Sequence, residues 1–133
     1  MSVPEIVTQW VEQALGVPTE YGEFPQGPGE RAMVKAAPGD PVVKRYANGG
    51  GVFRFAYEVY LLVPGATEGA RFGGVDRLRA MCDRITAGRE APGGDGAPTW
   101  WGHDVTTLPN LFSRDGNQSI YQAAATLAYI ERG

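Results

Sequence analysis

Periodic apolar stretches alternate along this chain with clusters of glycine and proline, and the period switches between helical and strand-like. From Ser2 to Leu15 the spacing is helical, because Ile6, Val7, Trp10, Val11, Ala14 and Leu15 fall on one face. Ser2 suits an N-cap, and Glu5 three residues on completes a capping box that satisfies orphan amides. Gly16 and Pro18 end the helix. Short strand patterns follow at Tyr21 to Phe24, Arg31 to Ala36 and Val42 to Tyr46. Turns at Gln26-Gly27-Pro28-Gly29 and Pro38-Gly39-Asp40-Pro41 separate them, and Asn48-Gly49-Gly50-Gly51 fits the bend of a hairpin.

Val52 to Leu62 carries the strongest strand pattern. Phe53, Phe55, Tyr57, Val59 and Leu61 share one face, while Arg54, Ala56, Glu58 and Tyr60 occupy the other. At ~3.3 Å per residue such a strand extends roughly 36 Å, which is long for this chain and predicts the centre of a sheet. Burying the five side chains contributes about 8–15 kcal/mol before the entropy of ordering is subtracted.

Pro64-Gly65 ends this strand, and Thr67 caps a second helix predicted to run to about Ile85. Val75, Leu78, Met81, Cys82 and Ile85 hold a helical period, with Asp76, Arg77, Arg79, Asp83 and Arg84 on the wet side. Gly73 and Gly74 weaken its start. Gly88 to Pro98 is charged and Gly-rich and reads as an exposed, mobile loop. Trp100 to Leu108 reads as extended, ending at Pro109, and Arg114-Asp115-Gly116-Asn117 is a hairpin turn.

Ile120 to Ile130 fits two patterns. With period two, Tyr121, Ala123, Ala125, Leu127 and Tyr129 share a face; as a helix, Ile120, Ala123, Ala124, Leu127 and Ile130 do. The alanines favour helix and the preceding hairpin turn favours strand, which is the reading adopted. The expectation is one α+β domain over residues 1–133. Its sheet is mixed but mostly antiparallel, has a long central strand, and is packed by an N-terminal helix and a second helix.

Composition refines this picture. A chain of 133 residues with 43% hydrophobic residues can build a core without metals or disulfides. Its 19 glycines and 10 prolines imply many turns. A formal charge of −3 with scattered Lys and Arg argues against a surface that grips nucleic acid. The single cysteine, Cys82, excludes an internal disulfide and a multi-cysteine zinc site. The N-terminus shows no secretory signal and no apolar run is long enough to span a bilayer, so a soluble, cytoplasmic protein is expected.

Candidate chemistry is sparse. His103, the only histidine, stands beside Asp104 and suggests a general base oriented by a carboxylate; no nucleophile is near it in sequence, and that reading needs the fold to bring Ser113 or Ser119 close. A structural histidine is the preferred reading. Cys82 lies on the apolar stripe of the second helix and reads as a small buried hydrophobe. The glycine runs at 48–51 and 73–74 lack the Lys-Ser/Thr pair of a phosphate loop and read as turns or close backbone approaches. Trp100 and Trp101, with Tyr57, Tyr60, Tyr121 and Tyr129, suit core or subunit packing better than base stacking, because no basic stripe accompanies them. The sequence therefore predicts no catalytic residue, no metal ligand, no cofactor and no enzymatic activity.

Four blocks in order resemble the tail-terminator and minor capsid (head–tail junction) proteins of tailed phages and prophages. They are the capped helix Ser2 to Leu15; Val42-Val43-Lys44-Arg45-Tyr46, a Gly-rich bend and Phe53 to Tyr60; a helix carrying Val75, Leu78 and Met81; and an ending with Leu108-Pro109-Asn110-Leu111-Phe112, Arg114-Asp115-Gly116 and Ile120 to Tyr129. The resemblance implies a final strand and a ring, usually a hexamer, that caps the tail tube and contacts head-completion proteins. It implies sister copies and tail-tube protein as partners, with no sequence-specific nucleic acid and no membrane. It places the protein in the bacterial cytoplasm during assembly and then in the virion. An acidic chain suits a lumen that passes duplex DNA without neutralising its phosphates. The alternatives are a head-closure or other minor capsid or tail protein, and a small hydrolase or ligand-binding domain built on His103, Asp104, Trp100 and Trp101.

Overall fold

The computed structural model describes residues 2–65, 67–93 and 97–131. Helix α1 (Val3–Leu15) begins where its capping residues place it. The Ser2 hydroxyl oxygen accepts from the Glu5 amide, and the Glu5 carboxylate accepts from the Ser2 amide. Gly16, at φ 71°, closes the other end by donating its amide to the Glu12 carbonyl; that left-handed conformation carries no penalty only in glycine. Ile6, Val7, Trp10, Val11 and Leu15 are buried on one face.

Among the described residues, six strands form one sheet. They are β1 (Thr19–Tyr21), β2 (Arg31–Ala36), β3 (Val42–Arg45), β4 (Gly51–Pro64), β5 (Thr99–Asp115) and β6 (Gln118–Glu131). The order is β1-β2-β4-β6-β5, with β3 also beside β4. β1 and β2 are parallel and every other pair is antiparallel. β4 is the centre of the sheet. It pairs along its whole length with β6, while β3 takes the first half of its opposite side and β2 the second half.

One face of the sheet carries both helices. α1 packs on β1, β2 and β4, and α2 (Glu68–Thr86) packs on β4, β5 and β6. Between the layers lie Tyr57, Val59, Leu61 and Val63 of β4, Tyr121, Ala123, Ala125 and Leu127 of β6, and Leu78, Met81, Cys82 and Ile85 of α2. The small alanines of β6 let α2 approach the sheet closely. So does Gly74, where an added Cβ would meet Val63 Cγ2 at 2.5 Å. The α+β class, the central strand, both helices and the strand reading of 120–130 agree with the expectation.

Four details differ. The first short strand is Thr19–Tyr21 and not 21–24, because Gly22 turns out of the sheet at φ 87°. The strand expected to end before Pro109 continues to Asp115. Pro109 sits on an edge strand at an irregular register between Thr107 and Asn110, where no partner requires its missing amide hydrogen. Burial is not confined to the Phe53–Leu61 face of β4, since Tyr60 and Leu62 on the face that carries Arg54 and Glu58 are buried too. Phe112 packs edge-on against Tyr60, and Glu58 and Gln122 hydrogen-bond its hydroxyl. Finally, the segment read as a wholly exposed loop is tied down at its start, since Pro92 is buried and the Glu90 and Pro92 carbonyls accept from β5 side chains. Residues 94–96 of that segment lie outside the described residues.

Candidate assembly surface

His103 is held on β5 against both helices, and its surroundings define its role. Nδ1 lies 2.8 Å from the Glu90 carbonyl oxygen, which can only accept, so Nδ1 carries the hydrogen. Nε2 is then the acceptor for the Tyr57 hydroxyl at 2.6 Å. Trp10 packs edge-on at 5.3 Å from the imidazole, and the Arg84 guanidinium lies over the Trp10 ring while pairing with Glu90. Burial pushes the imidazole pKa below its ordinary value, outweighing the Glu90 carbonyl bond and the Asp104 charge, which raise it. His103 is therefore a neutral clamp that joins α1, β4, β5 and the segment after α2.

The same histidine lines a cavity of about 480 Å³ with Ile85, Arg89, Trp100, Trp101 and Asp104. A base needs a free ring nitrogen and a nucleophile within reach. Both nitrogens of His103 are engaged. Ser113 and Ser119 pair with residues at the far end of the β5–β6 hairpin, about ten residues or roughly 33 Å of strand from His103. Asp104 hydrogen-bonds neither ring nitrogen. The constellation of His103, Asp104 and a serine is not assembled.

Cys82 is buried on the apolar stripe of α2, and desolvation, with Asp83 adding to it, pushes its thiol up to about 11. It packs as a hydrophobe. Asn48, Gly49 and Gly50 lie in the β3–β4 turn, where Gly49 takes φ 94°, and Gly51 opens β4 with its backbone against the Lys44 carbonyl; a strand follows, not a helix. Among the described residues, no three His, Cys, Asp or Glu side chains cluster as metal ligands, and no helix is long and apolar enough to cross a membrane. Trp100 divides its contacts between Tyr129 and the Pro92 carbonyl, whereas Trp101 points to solvent.

The surface that remains is the edge strand itself. β5 is 17 residues long, is paired on one side only among the described residues, and leaves Trp101, Leu108, Leu111 and Phe112 each more than half exposed. Leu108 reaches 74%. Leu111 lies opposite Tyr121 on the helix-bearing face, and Phe112 reaches Tyr60 on the other, so apolar side chains project from both faces of one edge. Edge strands that stay solvated are blunted with charge, proline or bulges; this half of β5 has Pro109 and an irregular register but no charge between Asp104 and Arg114, so its apolar side chains stay uncovered. The alternation of β5 concealed this from sequence reading; the signal was Leu108-Pro109-Asn110-Leu111-Phe112, apolar positions with no partner pattern. No family model matches the chain, and no curated protein aligns with it significantly.

Proposed function

We propose that the chain is a structural virion protein of a tailed phage or prophage, a ring-forming tail terminator at the head–tail junction. The observation that carries this reading is the exposed apolar edge of β5. A long edge strand with one open side, bearing Leu108, Leu111 and Phe112, is a surface for another chain. The resemblance in element order supplies the kind of assembly. A ring protein needs complementary surfaces and no reactive groups, and closed cyclic symmetry uses two different patches on each subunit. The clamped state of His103 and the buried thiol of Cys82 accord with a role in contact and not in bond-making. The reading assigns no catalytic residue, metal or cofactor. Its partners are sister copies, in a ring most simply hexameric, together with tail-tube and head-completion proteins.

Negative-stain microscopy of the purified chain at high concentration tests the proposal, together with co-sedimentation with a tail-tube protein. Rings that bind the tube end are expected. Binding to a head connector alone would move the protein to head closure. A chain that stays monomeric with tail components present would sink the proposal.

A further inference from the structure

The ring reading above leaves open which surfaces meet, and the two ends of the sheet answer that. At the β5 end, a pocket of about 300 Å³ opens on the helix-bearing face between the start of α2 and the end of β5. Phe72, Val75, Leu111 and Tyr121 supply its apolar walls, and Arg71 and Arg114 stand on its lining. Phe72 is 63% exposed. Among the described residues, neither arginine is paired with a carboxylate. An apolar pocket with two cations on its lining is complementary to an aromatic or aliphatic anchor with a carboxylate beside it.

At the opposite end, β1 is a free edge that carries such an anchor. Tyr21 is 45% exposed. Side chains alternate along a strand and Thr19 is buried beneath α1, so Tyr21 shares the helix-bearing face with the pocket. Glu23, just past the Gly22 turn, is exposed and, among the described residues, without a cationic partner, whereas Glu20 faces the other side of the sheet. The levels match as well. Thr19, Ala32, Leu61, Tyr121 and Leu111 form one row across the whole sheet, and Tyr21 is two residues further along β1. Anchor and pocket thus stand on the same face, at nearly the same height, at opposite edges.

We propose that Tyr21 of one copy, with Glu23 beside it, seats in the Phe72–Leu111–Tyr121 pocket of the next copy, with Arg71 and Arg114 taking the Glu23 carboxylate. Copies then join head to tail through two unlike edges, which is the geometry that propagates around a ring. A two-fold contact of the pocket with itself is disfavoured, because it brings four arginines together.

Sedimentation velocity of the full chain tests this with charge exchange. Arg71→Glu/Arg114→Glu and Glu23→Arg, each shown to be folded by circular dichroism, are each expected to weaken association at least tenfold. Mixing the two variants in equal amounts restores it, because each pocket then finds an oppositely charged edge. Tyr21→Ser, which alters no charge, is expected to weaken association without rescue by mixing. If the wild type associates and the folded arginine variant associates equally well, the docking mode is wrong while the ring reading stands. Loss of tail-tube binding with self-association intact also overturns the docking mode, since the pocket then receives a different protein. A wild type monomeric at every concentration overturns both.

Discussion

Removal of the Tyr57 hydroxyl perturbs the His103 clamp with the least change in volume. Tyr57 is fully buried, and its hydroxyl donates to Nε2 over 2.6 Å. A neutral buried hydrogen bond contributes about 0.5–1.5 kcal/mol net, and leaving a partner unsatisfied costs about 1–3 kcal/mol. In Tyr57→Phe the orphan is Nε2 of a half-buried ring, so the cost expected is about 1–2 kcal/mol. In His103→Ala the orphan is a hydroxyl with no solvent contact, and the packing against Trp10 is lost too, giving about 2–4 kcal/mol. Once one partner is gone the second loss is cheaper, so the double variant should fall short of the sum by about 1–2 kcal/mol. Urea unfolding followed by tryptophan fluorescence at pH 8 measures all four corners of the cycle, at low protein concentration so that association contributes little. Additivity within about 0.5 kcal/mol would refute the clamp and return His103 to the pool of groups free for other work.

Two further outcomes are expected. Gly74→Ala drives a methyl to 2.5 Å from Val63 Cγ2 and should destabilise by about 1–3 kcal/mol, whereas Gly73→Ala enters open space and should stabilise by roughly 0.5–1 kcal/mol in the same denaturation assay. Stability should also fall on mild acidification. The folded state lowers the His103 pKa, so the unfolded chain binds the proton first as pH drops below the ordinary value of 6.5, and the contribution is lost down to the folded value. The difference in urea midpoint between wild type and His103→Gln across pH 8 to 5 isolates this histidine from the carboxylates, and a constant difference would contradict it.

Local patterns carried much of the fold. The Ser2–Glu5 box and the apolar stripe gave α1 within one residue, because capping and helical period depend on neighbours in sequence. Alternation from 52 to 62 identified β4 as central. What failed depended on partners across the sheet. The burial of Tyr60 is not legible from its own strand, because Phe112 and Gln122 cover it from 50 or more positions away in sequence. Pro109 reads as a stop, but an irregular edge tolerates it. His103 was legible as structural only in outline, because its clamp draws on Trp10, Tyr57 and Glu90 from three separate segments. The β5 edge was less legible still. Trp101, Leu108, Leu111 and Phe112 become a surface only once the strand order leaves β5 without an outer neighbour.

That edge is the centre of the account, and its most direct test is the molar mass of the chain in solution, measured by light scattering over a wide concentration range. The wild type should reach a mass several times that of one chain. A variant with Leu108→Ser, Leu111→Ser and Phe112→Ser should keep its circular dichroism spectrum and remain monomeric, because these side chains are more than half exposed in the protomer. A wild type that is monomeric throughout, or a folded triple variant that assembles as the wild type does, would contradict it.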